Sequence, residues 1–317
     1  MRILGFMLVR DEADVIELTI RHHLALFDGI AIIDHGSTDG TSEILAALKA
    51  EGLPLFVTPV GNPRYRRREM INELVHHAVL TATFDWAFIV DADEFLVAKD
   101  RAALERTLAD CPRDRHVILD RPTVVPLFGS DAPLAQRLRT SRRVNDRGHG
   151  FGKVAIPREV LALPGVEVAV GQHHLEAATT STVLLPGHPV APDRLELAHV
   201  PIRSADHFRV KFLSGWLSIV AQEHKRPAFG VQWRDAFDSI VAGEPIDVAM
   251  MTAFAADNGI PRGHWRDDVE PLLVPMRPFL LAEETRHDEL ARPLGIGRVL
   301  KFAERLLTTP RQRVAVP

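Results

Sequence analysis

Cysteine is almost missing from this chain: Cys111 is the only one among 317 residues. A lone thiol excludes an intramolecular disulfide framework and any multi-cysteine metal site, and it fits a reducing compartment. An excess of basic residues is missing too. With 38 Lys and Arg against 42 Asp and Glu, the net charge of −4 and the pI near 6.4 argue against broad nucleic-acid binding. No window approaches the roughly 20 apolar residues of a transmembrane helix. The opening MRILGFMLVRDEAD turns charged too early for a signal-peptide core and has no cleavage-like end, so a cytoplasmic protein is expected. Two catalytic signatures are absent as well. DRGHGFGKV (Asp146 to Val154) lacks the spacing of a phosphate-binding P-loop, and no nucleophile elbow occurs.

What is present describes an ordinary globular chain, 46% hydrophobic and 25% charged, long enough for one large domain or for one domain with a helical appendage. The first hundred residues alternate between two hydrophobic periods. ILGFMLV (Ile3 to Val9), GIAIID (Gly29 to Asp34), LPLFVT (Leu53 to Thr58) and WAFIVD (Trp86 to Asp91) are continuous apolar runs, as strands buried on both faces require. Between them Ile16, Ile20, Leu24 and Phe27, then Ile44, Leu45 and Leu48, then Ile71, Leu74, Ala78 and Ala82 recur at helical spacing, with Thr41 as the expected N-cap of the second helix. This rhythm predicts an α/β fold with a mainly parallel sheet flanked by helices. From about Pro112 to Pro201 short β-rich runs broken by Gly and Pro predict a mixed-sheet half. A helix is expected over His207 to His224, and helices and loops follow from about Arg226.

The fourth strand raises a question of charge. Asp91, Asp93 and Glu94 follow it directly, three like charges for which stability offers no reason but a bound cation would. Side chains alternate on a strand, so Asp91 and Asp93 are expected to project the same way, with Cα atoms roughly 6–7 Å apart. They would then stand in the crevice at the carboxyl edge of the sheet, where open α/β sheets bind ligands. Oxygen donors suit a hard cation, Mg²⁺ or Mn²⁺, with the remaining positions filled by water and phosphate.

Taken together, MLVRDEADVIELTIRHHLALFDGIAIIDHGSTDGT and DWAFIVDADEFL resemble the nucleotide-sugar-binding half of glycosyltransferase family 2, in the branch carrying D-x-G-S-T-D-G-T and D-x-D-E-F. The likeness is strong over about residues 1 to 100. It continues faintly through Phe128 to Ser130, Lys153, His173, His174 and AHVPIRSADHFRVKFLSGW. The resemblance implies a GT-A-type fold: a nucleotide-sugar half over residues 1–110, an acceptor half over 111–225 and a helical extension over 226–317. It implies a UDP- or GDP-sugar donor, a carbohydrate or other hydroxyl acceptor, inversion at the sugar carbon and a divalent cation. Asp34 would lie near the base or ribose, with Asp39 in the same loop. Asp91 would lie near the ribose or cation, Asp93 would ligate the metal directly, and His199 would be a third ligand. The chain departs from the family at His35 and at Arg10-Asp11-Glu12, both near the expected nucleotide pocket.

Arg64, Arg66, Arg67 and Arg68 open a predicted helix, where cations oppose the helix dipole unless an anion is present. A diphosphate would relieve that conflict. Asn72 on the same helix matches a family asparagine, and Arg203 and Lys211 are placed to reach the leaving diphosphate. The pairs His22–His23 and His76–His77 do not have the i, i+4 spacing of a metal pair. The base that would take the acceptor's proton is open among Asp131, Glu196 and Asp206. In the C-terminal stretch Val299, Phe302, Leu306 and Leu307 form an apolar stripe among basic residues, read as packing on the protein itself, with peripheral contact to an anionic membrane as the alternative. Two rival functions share this pattern. A sugar nucleotidyltransferase normally has a basic glycine-rich loop after the first strand, where this chain has the acidic VRDEAD. A non-catalytic nucleotide- or carbohydrate-binding module would retain the fold without turnover.

Overall fold

A computed structural model describes residues 1–62, 67–145, 152–178, 182–221, 231–257, 269–292 and 295–309. Strands β1 (Ile3–Val9), β2 (Gly29–Asp34) and β3 (Leu55–Pro59) alternate with helices α1 (Ile16–Leu24), α2 (Thr41–Ala50) and α3 (Arg67–Thr81), and β4 (Trp86–Ile89) follows. The chain then turns into β5 (Glu94–Val97) and α4 (Arg101–Ala109). The middle holds β6 (Val117–Leu119), β7 (Val124–Val125), α5 (Leu134–Arg139), β8 (Arg142–Val144), β9 (Lys153–Pro157) and α6 (Arg158–Leu161). After these come β10 (Val166–Val168), β11 (Leu175–Ala178), β12 (Thr182–Leu184), β13 (His188–Pro189) and β14 (Glu196–His199). The last part carries α7 (Ala205–Val220), α8 (Val231–Val241), α9 (Val248–Ala256), β15 (Leu273–Pro275) and α10 (Ile296–Thr308).

The central sheet runs β13-β6-β9-β4-β1-β2-β3, with β9 antiparallel to both its neighbours and the other pairs parallel. This is the mixed, mainly parallel α/β sheet expected from the sequence. Its two faces explain the uninterrupted apolar runs. Ile3, Met7, Phe88 and Trp86 pack on one side with α1, α2 and β5, while Phe6, Ile89 and Ile156 pack on the other with Ile71 and Val75 of α3. β5 leaves the sheet and pairs antiparallel with β14, which sets Glu94 opposite His199. A further apolar cluster joins α7 to the helices after it, with Phe208, Phe212 and Phe254 in mutual ring contact. The N-terminus of α7 is fixed by Ser204, whose hydroxyl accepts from the His207 amide at 3.1 Å.

Residues after 270 do more than form helices and loops. β15 adds antiparallel to β8. The chain then recrosses α1, where the ring of Phe279 lies 5.6 Å from that of Phe95 and the amides of Arg286 and His287 each donate to the buried Glu17 carboxylate at 2.9 Å. Gly40, at φ +106°, is closely crossed by this strap, since a Cβ there would lie 2.0 Å from the Leu290 carbonyl oxygen. In α10, Val299, Phe302 and Leu306 are buried, so most of the stripe weighed for lipid contact is spent on the protein, while Leu307 is exposed. Among the described residues no helix is long and apolar enough to cross a membrane.

The two histidines of α1 are both buried and both neutral by hydrogen bonding. His22 Nε2 donates to the Leu96 carbonyl at 3.0 Å, leaving Nδ1 to accept from the Leu281 amide at 3.1 Å. His23 Nδ1 donates to the Thr19 carbonyl at 2.9 Å, leaving Nε2 to accept from the Leu96 amide at 3.3 Å. Burial pushes His22 down to about 4 and His23 well below the ordinary value of 6.5. The unfolded chain therefore takes up protons near pH 6.5 that the folded chain refuses, so stability is full above that pH and falls as acid is added toward pH 4. A loss on the order of a few kcal/mol is expected from His22 and His23 together. Urea unfolding midpoints should stay level from pH 8 to about pH 7 and fall from there to pH 5, and a profile that stays flat down to pH 5 would rule this account out.

Candidate active site

The carboxyl ends of β1 and β2 are joined by side chains reaching backbone. Asp39 Oδ2 accepts from the Ala13 amide at 2.8 Å, while its Oδ1 accepts from the Thr41 amide at 3.0 Å and the Thr41 hydroxyl at 2.6 Å. Thr41 Oγ1 in turn accepts from the Glu12 amide at 2.9 Å, and Asp11 Oδ1 accepts from the Thr38 amide at 2.7 Å. Asp34 turns back on its own loop, accepting from the Ser37 amide at 2.9 Å and from the Ser42 hydroxyl. The D-x-G-S-T-D-G-T segment is therefore locked chiefly by its own acids. Thr41 is the first residue of α2 rather than its cap. Gly40 takes the cap position in a left-handed conformation that suits a residue without Cβ, and Asp39 supplies the acceptor.

The acidic segment after β4 is a turn, not a continuation of the strand. β4 ends at Ile89, and the Glu94 amide donates to the Asp91 carbonyl at 3.1 Å across the turn. The strand-based expectation that Asp91 and Asp93 project together fails for this reason, and the two carboxylates diverge. Asp91 meets Arg67 through Oδ1 and Lys153 Nζ at 2.9 Å through Oδ2. Glu94 accepts from the Asp91 amide at 2.9 Å and lies 3.3 Å from Arg121 and 3.4 Å from Lys153. Asp93 Oδ2 accepts from Lys211 Nζ at 2.8 Å, with His199 Nε2 at 3.8 Å and Arg203 Nη1 at 3.9 Å. Lys153 also donates to Gln172 Oε1 at 2.6 Å and is buried.

Beneath Asp93, Arg203 is fully buried and binds Glu12 at 2.5 Å and Asp14 at 2.7 Å. It connects the β1–α1 loop, the acidic turn and the entry to α7. Burial raises Glu12 to about 7, against the pull of Arg203, whereas Asp14, held by Arg203 through charge and hydrogen bonding, lies at about 2 despite the same desolvation. Desolvation pushes His199 well below the ordinary range, so its imidazole is neutral. The five acids Glu12, Asp14, Asp91, Asp93 and Glu94 thus meet five basic side chains, Arg67, Arg121, Lys153, Arg203 and Lys211, of which burial pushes Lys153 down to about 7. The repulsion read from the sequence is relieved by the protein's own side chains.

Of the residues singled out from sequence, Asp91, Asp93, His199, Arg203 and Lys211 come together in this cluster. Arg203 is a buried tie rather than an exposed arm, and Arg66 lies outside the described residues. Asp34 and Asp39 are spent on the loop. Asn72 joins α3 to β10, donating to the Val168 carbonyl at 3.0 Å and accepting from the Val168 amide at 2.8 Å, so its amide group serves packing. His173 donates through Nδ1 to the Gly152 carbonyl at 2.7 Å, and His174 lies 3.5 Å from Glu176. None of the three carboxylates considered as base is among the acids of the cluster. Glu196 is clamped by Arg143 and Arg277 at 3.1 Å each, at the end of β14 remote from His199. Asp206 pairs with Arg209 at 2.7 Å on the first turn of α7, and Asp131 is exposed before α5. Sequence reasoning missed Gln172, Arg121 and Asp14. The one available signal was the acidic run Asp11 to Asp14, which calls for a buried cation.

A divalent ion does not fit Asp91, Asp93 and His199 as they stand. Their ligand atoms form no common cluster, and the oxygens that would bind an ion already accept from ammonium and guanidinium groups. Among the described residues the one group with converging ligand atoms is Glu17, Glu51 and His287, whose two carboxylates Arg21 already bridges.

Replacing Arg203 leaves Glu12, Asp14 and Asp93 facing one another without their central cation. Arg203→Met is expected to destabilise the fold by about 3–5 kcal/mol. Lys211→Met, which removes a partly exposed ammonium, should cost clearly less. Urea denaturation of both variants checks the order, and equal losses would contradict it.

No protein-family model and no curated protein matches the chain. Similar solved structures include S. aureus TarS in complex with UDP, 11% identical over 76% of this chain and 72% of that one with a TM-score of 0.39. Another is the mannosyltransferase PcManGT from Pyrobaculum calidifontis in complex with GDP-Man and Mn²⁺, 18% identical over 80% of this chain and 79% of that one with a TM-score of 0.40. Likeness at this level assigns the chain to no family.

Proposed function

We propose that this protein is a GT-A-type glycosyltransferase that moves a sugar from a UDP- or GDP-sugar to an acceptor hydroxyl. The observation that carries this reading is the cluster of Asp91, Asp93, Arg67, Lys153 and Lys211 just past the carboxyl end of β4. There the chain, having built outward from β1 to β3, crosses back to the other side of β1, the reversal at which open α/β sheets bind their ligands. The D-x-G-S-T-D-G-T and D-x-D-E-F segments support the same assignment, since they form the loops at this edge.

In this reading the bond between the anomeric carbon and the diphosphate oxygen breaks, and its electron pair leaves with the diphosphate. The sugar passes through an oxocarbenium-like state. The acceptor oxygen attacks the anomeric carbon, with inversion, and gives its proton to a base. Arg67 and Lys211, partly exposed above the acids they pair with, would oppose the charge growing on the departing diphosphate. Asp91 and Asp93 hold those cations in position.

Release of nucleoside diphosphate, measured across UDP- and GDP-sugars with simple glycoside acceptors, should reveal turnover with at least one pair. Arg67→Ala should then lower kcat by roughly 100-fold. Nucleotide binding without turnover would favour a binding module. No turnover and no rise in melting temperature with any nucleoside diphosphate would remove the reading altogether.

A further inference from the structure

The cations of the cluster occupy the places a metal would need. Lys211 Nζ sits between Asp93 Oδ2 at 2.8 Å and the Pro201 carbonyl at 2.9 Å, and His199 Nε2 is 3.8 Å from the same Asp93 oxygen. A carboxylate, a carbonyl and a neutral imidazole make a plausible donor set for a divalent ion. Here the Lys211 ammonium takes the carboxylate and the carbonyl of that set. On the other carboxylate, Arg67 and Lys153 take both oxygens of Asp91. Lys153 is not a side chain that can simply swing aside. Its side chain is 2% exposed, and it is held by Asp91, by Gln172 and, at 3.4 Å, by Glu94. Adding a dication to Asp91 and Asp93 would bring it against the Arg67 and Lys211 cations in a partly dry site, where like charges repel strongly.

More positive charge lies at the neighbouring strand ends. Arg305 of α10 donates to the Gly36 carbonyl at 2.9 Å and the Gly61 carbonyl at 3.0 Å, in the loops after β2 and β3, and it forms no ion pair with a described residue. Arg298 reaches the Thr38 hydroxyl at 3.3 Å, and the Arg10 guanidinium lies 4.5 Å over the Phe302 ring. A nucleoside diphosphate entering this edge therefore meets side-chain cations on several sides. Arginine and lysine can neutralise phosphate oxygens directly.

We propose that Lys211 and Lys153, with Arg67, replace the divalent ion in this protein, so that a nucleoside diphosphate binds the cleft without a metal. The proposal rests on the donor reading above, but it also makes a claim about the protein alone, namely that Lys211 excludes a cation that Asp93 and His199 would otherwise hold.

Mn²⁺ titration followed by electron paramagnetic resonance tests that claim without any nucleotide or turnover. Wild type should take up no stoichiometric Mn²⁺ below about 1 mM, whereas Lys211→Met should acquire one ion at least tenfold more tightly. Adding Asp93→Asn to Lys211→Met should abolish the gain, which locates the ion and separates it from the Glu17, Glu51 and His287 group. Thermal melting of each variant confirms that it is folded. Stoichiometric Mn²⁺ on wild type, or none on a folded Lys211→Met, overturns the proposal. Calorimetry with UDP and GDP is the second arm: affinity should change less than threefold between EDTA and Mn²⁺ for wild type, and a tenfold gain with Mn²⁺ also overturns it. Failure of both nucleotides to bind under either condition counts against the donor reading, while the Mn²⁺ titration still decides the role of Lys211.

Discussion

Arg203 has no exposed surface, and three loops depend on its charge. It binds Glu12 and Asp14 from the loop after β1, lies 3.9 Å from Asp93 in the turn after β4, and itself stands on the segment leading into α7. Removing charges from water is costly, and the cost is recovered only when the partners are close and well hydrogen-bonded. The pairs at Arg203 meet that condition. The consequence is geometric: the ends of β1 and β4 cannot shift independently, and Lys211, two turns into α7, is brought over Asp93. Apolar packing builds the sheet, while ion pairing positions what stands at its edge.

The same division of labour explains how distant parts of the chain reach one cleft. α7 and α10 pack through Val210, Leu213 and Val299, and this contact delivers Arg298 and Arg305 to the loops after β2 and β3. The strap before α10 is fastened on α1 by Glu17 and on the α2 entry by the Arg292 amide, which donates to the Asp39 carbonyl at 2.7 Å. Residues more than two hundred positions apart thus share one rim. Loops carry the candidate chemistry, and the C-terminal segment holds those loops in place.

The sheet was largely legible because its signal is local. β1 and β2 fall on ILGFMLV and GIAIID to the residue, and α3 carries Ile71, Leu74 and Ala78 of its periodic run on a buried face. A strand buried on both faces has to be apolar throughout, and a helix on such a sheet has to repeat at its own period. The site was legible only as a list of members. Asp91, Asp93, His199, Arg203 and Lys211 were named in advance, yet their roles depend on directions that spacing does not contain. The break at Ile89 sends Asp91 and Asp93 apart. Asn72 matches a family asparagine by position, yet its amide is spent on β10.

From the sequence alone follow the α/β rhythm, the parallel first half and the crowding of acids at the end of the fourth strand. Each rests on neighbours along the chain, where apolar period and turn residues act over a few positions. Only the tertiary structure decided what neutralises those acids. Lys153, Arg121 and Lys211 come from positions about 30 to 120 residues away, and a pairing of charges across that separation depends on the folded path of the backbone, not on any local pattern.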